Sequence, residues 1–304
     1  MPWLSIDDYG TSGWQLAGDF LWRARHYCGE LEKGEILFFP APPFDLPKSE
    51  VDFLVSLKPA DSRLHKNISY RPEQDLLRGL ADSSNQTRVQ DIMRRYAAAV
   101  KSFISAFLAP YAGKFQIDYA SFRPLEEEGR DLPLHKRNDL LHVDAFPSRP
   151  TRGGRILRVF TNVHPSKDRV WVVGPRFPEL ASRFAEPAGL SKFASRSTIL
   201  RGWKRGLGTL GLPVADRAPY DKFMLHFHDW LKENTAFQTT NCGKEQLNFP
   251  PMATWLVFTD GVPHAALSGQ FAMEQTFIIA VDALVAPEAA PIRVLEKIAG
   301  RAMD

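Results

Sequence analysis

The hydrophobic positions of the chain recur with two periods, one typical of amphipathic helices and the other typical of strands. Residues 88–108 carry the longest apolar stripe at helical spacing, and residues 14–32 carry a shorter one. Residues 35–39 predict a short strand, whereas residues 50–55 fit a strand and a helix equally well. Residues 58–87 are polar and interrupted by proline, so we expect them to form a surface excursion.

The later strands fall into two groups with helices between them. The first group covers residues 115–123 and 155–163, and the second covers residues 252–259 and 274–281. Helices are predicted between the groups and at the end of the chain, over residues 178–185, 189–201, 220–233 and 292–298. Strands on both sides of a helical insertion indicate an α+β fold in which the two strand groups share one core.

The composition is that of an ordinary globular protein. Apolar residues make up 44% of the 304 residues and charged residues 24%, and a net charge of +3 is too small to favour nucleic acid as a partner. The two cysteines, Cys28 and Cys242, do not suggest a disulfide framework, which favours the cytoplasm. The first residues lack the pattern of a secretory signal, and no apolar run is long enough to span a membrane, so we expect membrane contact to be peripheral at most.

The strongest candidate for chemistry is the stretch Leu140–Phe146, in which one residue separates His142 from Asp144. On a strand, two such residues point to the same side of the sheet, so an imidazole and a carboxylate would project together. A second imidazole, His264, follows a predicted strand and its turn. Two histidines and one carboxylate on one face of a metal leave open positions, as in non-haem Fe(II) oxygenases.

Other interpretations of these residues remain open. The spacing also fits a histidine at the end of a strand that is hydrogen-bonded to a nearby aspartate, without a metal. A competing cluster, His226-Phe-His228-Asp229, lies in a predicted helix, where residues two apart do not share a face. We therefore interpret His228 and Asp229 as surface groups.

The residues around the His-x-Asp motif carry a specific resemblance. They are the stretches Leu140–Thr151 and Gly154–Asn162, followed much later by His264. With these motifs the chain resembles the Fe(II)/2-oxoglutarate-dependent dioxygenases and, among them, the bacterial hydroxylases of Kdo, the acidic sugar of the lipopolysaccharide inner core. The resemblance implies a double-stranded β-helix, or jelly roll, with flanking helices and a helical insertion between the barrel halves.

The resemblance further implies that residues 1–304 form a single dioxygenase domain. Its predicted parts are an N-terminal helical and strand support (1–114), a first barrel part with the His-x-Asp motif (115–175), a helical insertion (176–245), a second barrel part with the distal histidine (246–285) and a tail helix (286–304). The insertion would form a lid or mouth for a large substrate.

The same resemblance implies Fe(II) as the metal and 2-oxoglutarate and O2 as cosubstrates, with release of succinate and carbon dioxide. His142, Asp144 and His264 would be the catalytic metal ligands. Many relatives place an arginine or lysine soon after the second histidine to bind the distal carboxylate of 2-oxoglutarate. This chain has neither residue in that window.

We predict that Arg158 replaces this cation, because an arginine in the middle of an apolar strand is costly unless it is paired. Asn162 shares its face by strand parity, and Thr276 would donate its hydroxyl to the same carboxylate, so both are predicted to bind the cosubstrate. The alternative for Arg158 is an internal salt bridge to Glu274.

A second group of arginines is predicted to bind an anionic substrate. Arg149, Arg152 and Arg155 follow the motif closely, and Arg123 is a further candidate. The alternative for each is a solvated loop charge. The resemblance implies that the substrate is Kdo attached to lipid A, met at the cytoplasmic face of the inner membrane, and the oligomeric state stays open.

The first functional hypothesis is therefore a Kdo hydroxylase. The alternatives are a 2-oxoglutarate dioxygenase that acts on another small acidic substrate, and a non-catalytic jelly-roll protein that binds a sugar or anion. Anaerobic binding of Fe(II), followed by succinate release on aeration, would distinguish the enzymes from the binding protein.

Overall fold

The computed structural model describes residues 3–10, 20–57, 67–194, 217–240 and 243–304. Its strands are β1 (Trp3–Ser5), β2 (Ile36–Phe39), β3 (Ile68–Arg71), β4 (Leu76–Arg78), β5 (Phe115–Arg123), β6 (Arg155–Asn162), β7 (Arg169–Val173), β8 (Glu245–Phe249), β9 (Thr254–Phe258), β10 (His264–Ser268) and β11 (Ala272–Ile279). Its helices are α1 (Phe20–Glu32), α2 (Lys48–Ser56), α3 (Gln86–Phe107), α4 (Phe177–Phe184), α5 (Leu190–Ala194), α6 (Pro219–Glu233), α7 (Thr235–Thr239) and α8 (Pro291–Ala299). Within these ranges, none of the helices has the length and apolar character that crossing a bilayer requires.

Two sheets form the centre of the fold. The strand order is β1-β2-β9-β6-β11-β5-β3-β4 in the larger sheet and β10-β7-β8 in the smaller sheet. β1 pairs with β2 in parallel, and the pairings of β9, β6, β11 and β5 are antiparallel. The predicted α+β class is confirmed in the form of a large sheet combined with helices.

The apolar core has three parts. The first lies on one face of the larger sheet, where the stripe of α3, including Ile92 and Phe103, packs with Phe258. The second lies between the two sheets, where the rings of Phe249 and Trp255 stack with their centroids 3.8 Å apart. The third joins α4, α5, α6 and α8, and it also contains Leu141 and Val143 of the His-x-Asp stretch. The apolar side of the motif therefore packs against the helical insertion.

Most predicted elements are confirmed among the described residues. The strand over 115–123 and the long helix, observed at Gln86–Phe107, are where the periodicity placed them. The ambiguous segment 50–55 belongs to a helix, α2. Parts of three predicted segments, 14–19, 58–66 and 195–201, lie outside the described residues, as does Cys242.

Two local predictions were wrong. The expected surface excursion contains β3 and β4 at the edge of the larger sheet, because the buried Ile68, Tyr70 and Leu77 occupy alternating strand positions. The stretch Leu140–Phe146 is not a regular strand, since its pairing is limited to a single bridge between His142 and His264. The division of the chain into barrel parts and insertion stays a prediction at this point.

Candidate active site

The three residues predicted as metal ligands lie together. Their potential ligand atoms are all within 4.8 Å of one another. His142 Nε2 is 3.7 Å from Asp144 Oδ1, and His264 Nε2 is 4.0 Å from Asp144 Oδ2. We call His142, Asp144 and His264 the triad.

The backbone of the His-x-Asp stretch is fixed without a regular strand. His142 and His264 exchange two N–H to C=O bonds of 3.2 and 3.0 Å, and the Asp144 N–H donates to Thr259 O over 2.8 Å. The side chain of Gln238, on α7, accepts from the Leu141 N–H at 3.0 Å and donates to the Leu141 carbonyl at 2.9 Å. A side-chain amide thus takes the place of a neighbouring strand, and the backbone groups around His142 remain satisfied.

Backbone carbonyls orient both imidazoles of the triad. His142 Nδ1 is 2.7 Å from Leu140 O, and His264 Nδ1 is 2.9 Å from Val262 O. Because a carbonyl can only accept, each Nδ1 carries the proton and each Nε2 keeps a free lone pair beside Asp144. This is the orientation that histidine metal ligands show, with the second ring nitrogen donating to a fixed acceptor.

Burial and nearby charges set the ionisation of the triad. Burial opposes charge on Asp144, but Arg158 and the two histidines outweigh it, so the pKa of Asp144 lies below its usual value. Burial is the main cause that lowers the pKa of His142 far below its usual value, and it also lowers the pKa of His264. At neutral pH the site presents a carboxylate and two neutral imidazoles, the forms that bind a metal.

Arg158 connects the triad to a second carboxylate. Its Nε is 3.1 Å from Asp144 Oδ2, and its Nη1 is 3.0 Å from Glu274 Oε1. Arg123 donates to the same Glu274 through Nε at 2.8 Å. Burial opposes charge on Glu274, but the two arginines outweigh it and lower its pKa. The salt bridge to Glu274, the alternative raised by the sequence, is therefore present.

The other two residues predicted to bind the cosubstrate differ in their surroundings. Thr276 is buried, lies opposite Arg158 in the pairing of β11 with β6, and donates its hydroxyl to Glu274 Oε1 over 3.2 Å. Asn162 is fully buried; its Nδ2 donates to two backbone carbonyls at 2.9 Å each, and its Oδ1 accepts from the His164 N–H at 3.0 Å. With these groups engaged, Asn162 holds the turn after β6 instead of facing a ligand.

A large cavity opens in front of the triad. Its volume is about 1260 Å³, and the triad, Phe146, Phe160 and Trp171 line it. Its wall also carries six lysine and arginine side chains, namely Arg123, Arg130, Lys136, Arg158, Arg169 and Lys232. We call this space the triad cavity. Its size and its positive charge suit a large anionic ligand.

The three arginines that closely follow the motif do not line the triad cavity. Arg149 forms a salt bridge with an aspartate of β5, and Arg152 is exposed. Arg155 is only 1% exposed, and its Nε donates to Asp260 Oδ2 over 2.8 Å. Arg155 therefore does not face the triad cavity, as its predicted role in substrate binding would require, because it begins β6 and points to the face opposite Arg158. Arg123 is the member of the predicted substrate group that lines the cavity.

Two groups that were not predicted as site residues belong to this site. His228, interpreted as a surface residue, lies with its ring centroid 4.8 Å from that of His142 and its Nδ1 2.8 Å from Val143 O. Glu127, in the acidic run of residues 126–128, is buried and accepts from Asn138 Nδ2 at 3.0 Å and from Arg169 Nη2 at 3.3 Å. The spacing of the cavity-facing residues on α6 could have indicated that His228 belongs to the site. The run Glu126-Glu127-Glu128 gives no indication that Glu127 is buried.

Two neutral histidines and an aspartate, converging at the base of an open cavity, define the class of the two-histidine, one-carboxylate metal oxygenase site. A family model described as 3-deoxy-D-manno-oct-2-ulosonic acid (Kdo) hydroxylase matches residues 22–302. The chain therefore belongs to the Kdo hydroxylase family.

Solved structures agree with the family assignment. The chain is similar, at 34% identity and a TM-score of 0.79, to the Kdo hydroxylase KdoO, a non-heme Fe(II) alphaketoglutarate-dependent dioxygenase, in complex with alphaketoglutarate and Fe(III). The match covers 100% of this chain and 97% of the other. The cobalt(II) complex of KdoO gives the same values, and its complex with succinate and Fe(III) matches at 33% identity. No curated protein sequence matches the chain.

Proposed function

We propose that this protein is an Fe(II)/2-oxoglutarate-dependent hydroxylase that inserts one oxygen atom into the Kdo sugar of Kdo–lipid A. The observation that carries the proposal is the triad, whose two Nε2 atoms and carboxylate converge on one point of the cavity wall. Membership of the Kdo hydroxylase family supplies the substrate class. Succinate and carbon dioxide are the expected coproducts.

The residues of the triad fit a divalent iron. His142, Asp144 and His264 would hold it, and the cavity leaves its remaining positions accessible. The buried Asp144 Oδ2 has no hydrogen-bond partner although it lies near Arg158, so it retains a lone pair for a metal. Bound iron, together with 2-oxoglutarate and O2, supplies the oxidising chemistry that hydroxylates an unactivated C–H bond.

The surrounding residues would orient the cosubstrate and the sugar. Arg158 lies beside Asp144 and borders the cavity, so we propose that it binds the distal carboxylate of 2-oxoglutarate. Thr276 donates its hydroxyl to Glu274 and does not line the cavity, so its role would be to hold Glu274 in place. Glu274 would hold the guanidinium in place from the other side. Phe146, Phe160 and Trp171 restrict water at the base of the cavity.

We further propose that the two sheets are the two halves of a double-stranded β-helix. The central order β9-β6-β11-β5 in the larger sheet interleaves strands from both sides of the helical insertion. Adding the His142 bridge to β10 extends the smaller sheet to four segments, again drawn from both sides of the insertion. Such interleaving of two strand groups is the connectivity of a jelly roll. A cytoplasmic location with contact to the inner membrane is proposed from the substrate alone.

The test is the assembly of the active enzyme from purified protein, Fe(II) and 2-oxoglutarate under anaerobic conditions, followed by aeration with Kdo–lipid A. We expect succinate release that depends on the glycolipid. His142→Ala, Asp144→Ala and His264→Ala should each lose Fe(II) binding and turnover while retaining the fold, because a metal site with two protein ligands binds weakly. A triad variant with normal iron content and turnover would contradict the assignment of that residue.

A further inference from the structure

One face of α6 forms part of the wall of the triad cavity. Leu225, His228, Asp229 and Lys232 all line the cavity, and their spacing of three and four residues places them on one side of a helix. Lys222, on the same helix, is exposed to solvent and does not line the cavity. Of the two lysines on α6, only Lys232 therefore contributes to the wall of the triad cavity.

Lys232 is unusual among the cations of the cavity. It is 4% exposed, and its Nζ donates to the carbonyl oxygen of His135 over 3.0 Å. Among the residues that the structure describes, no carboxylate lies within salt-bridge distance of it, whereas Arg123, Arg130, Arg158 and Arg169 each have one within that distance. Within the same residues Lys136, the other lysine of the wall, also lacks such a partner, but it is exposed to solvent, so Lys232 is the buried cation of the wall without a carboxylate. An ammonium group has three donors, so the single bond to His135 leaves donor capacity for a ligand.

Lys232 lines the same cavity as the triad, one helical turn after His228, whose ring centroid lies 4.8 Å from that of His142. Its charge contributes to the lowered pKa of His142, and the charges of Asp144, Asp229 and Asp139 in turn raise the pKa of Lys232. Burial is the main cause that lowers the pKa of Lys232, which reflects the cost of holding an unpaired ammonium away from water. An anionic group delivered by a substrate would offset that cost.

We infer that Lys232 determines substrate specificity by binding the carboxylate of the sugar acid beside the triad. The inference rests on the proposed function, because it takes from the family the ulosonic acid whose name specifies a carboxylate. The arginines of the cavity already share Glu127 and Glu274, so they offer a new anion less free charge than Lys232 does. A neutral sugar would leave the ammonium unpaired, and the site would select against it.

The test compares an acid with its neutral analogue. Wild type, Lys232→Met, Lys232→Gln and Lys232→Arg are each assayed with Kdo–lipid A and with the same glycolipid carrying an amide in place of the Kdo carboxylate. We expect wild type to prefer the acid, and we expect Lys232→Met to lose that preference through a rise in KM of about 10- to 100-fold for the acid alone. Lys232→Arg should recover part of the preference, and Lys222→Met, the matched control on the same helix, should keep all of it.

The glutamine variant separates recognition from a structural role. Glutamine can still donate a hydrogen bond to the carbonyl of His135. If Lys232 only held the backbone at His135 in place, glutamine would therefore replace it without a change in KM. If Lys232→Gln restores wild-type KM, or if Lys232→Met still prefers the acid, the inference is overturned. It is also overturned if the KM for 2-oxoglutarate rises instead, since Lys232 would then bind the cosubstrate.

A binding measurement keeps this inference distinct from the proposed function. Calorimetric titration of cobalt(II)-loaded protein with free Kdo and with its amide requires no turnover. Acid-selective binding that Lys232→Met abolishes supports the role of Lys232 even if wild type hydroxylates nothing, which would contradict the proposed function alone. Equal binding of acid and amide by wild type, with normal hydroxylation, would overturn the role of Lys232 alone.

Discussion

Arg155 and Arg158 lie three residues apart on β6, and their surroundings differ in kind. Arg155 is 1% exposed, pairs with Asp260 and stacks with its guanidinium 4.3 Å from the ring centroid of Phe258. The side chain of Arg158 is 13% exposed, borders the triad cavity and divides its contacts between Asp144 and Glu274. One arginine is paired with a single carboxylate away from the triad, and the other is shared between two carboxylates beside the triad cavity.

The difference shows why charge in an apolar strand does not by itself mark a functional site. Both arginines satisfy the rule that a buried cation needs a partner. Arg155 lines a separate cavity of about 240 Å³ that none of the triad residues line, and a Cβ on Gly261 would lie 2.6 Å from Arg155 Nη2. Of the two arginines only Arg158 lines the triad cavity, and the cavity that each one reaches depends on the fold around the strand.

The largest expected effect on stability comes from Arg155. Arg155→Met would leave the carboxylate of Asp260 buried without its partner, which should lower the free energy of unfolding by about 3–5 kcal/mol. Arg176→Met serves as the control, because the Arg176 side chain is 56% exposed and its salt bridge to Glu35 should contribute less than about 1 kcal/mol. Urea-induced unfolding measures both. Equal losses of unfolding free energy in the two variants would show that the salt bridge of Arg155 contributes no more to stability than that of Arg176.

Arg158 should affect turnover more than stability. We expect Arg158→Met to raise the 2-oxoglutarate requirement by an amount equivalent to about 1.5–3 kcal/mol, the usual contribution of a hydrogen bond to a charged group. Arg158→Lys should recover part of this, since it restores the charge without the two-pronged contact. The measurement is the KM for 2-oxoglutarate in succinate release. An unchanged KM for 2-oxoglutarate in Arg158→Met would show that another cation of the cavity binds the cosubstrate.

The smallest effect is expected at Arg152, which is exposed and does not line the triad cavity. Arg152→Ala should change the KM for Kdo–lipid A less than about 3-fold, because screened surface charges contribute little to binding. Lys232→Met provides the comparison, with its larger expected rise. An equally large rise for Arg152→Ala, abolished by added salt, would restore the prediction that the loop after the motif binds the glycolipid.

Much of this fold could be predicted from periodicity and local motifs. The stripe of α3 and the alternation of β5 depend on residues close together in the chain, and both were predicted at nearly the observed residues. The triad was also predictable, because the spacing of His142 and Asp144 and the later His264 fit one known arrangement of metal ligands. For α3, β5 and the pair of His142 and Asp144 a local pattern was sufficient, whereas His264 lies 120 residues after Asp144 and its place in the triad depended on a known arrangement of metal ligands.

The failures concern contacts made by distant parts of the chain. Gln238 replaces a strand beside Leu141, and nothing in the sequence of either segment indicates that they meet. Glu127 belongs to a run of acidic residues typical of a solvated turn, yet arginines from two strands bury it. Whether an arginine of β6 lies away from the triad, as Arg155 does, or borders the triad cavity, as Arg158 does, is decided by such tertiary contacts.

The central claim is that the triad directs oxygen from O2 into Kdo. Mass spectrometry of Kdo–lipid A, after incubation with the Fe(II)-loaded protein, 2-oxoglutarate and isotopically labelled O2, tests it most directly. The account predicts that the Kdo portion gains one labelled oxygen atom for each succinate released, and that His264→Ala yields unmodified glycolipid. Succinate release by wild type with unmodified Kdo, or labelled Kdo formed by His264→Ala, would contradict it.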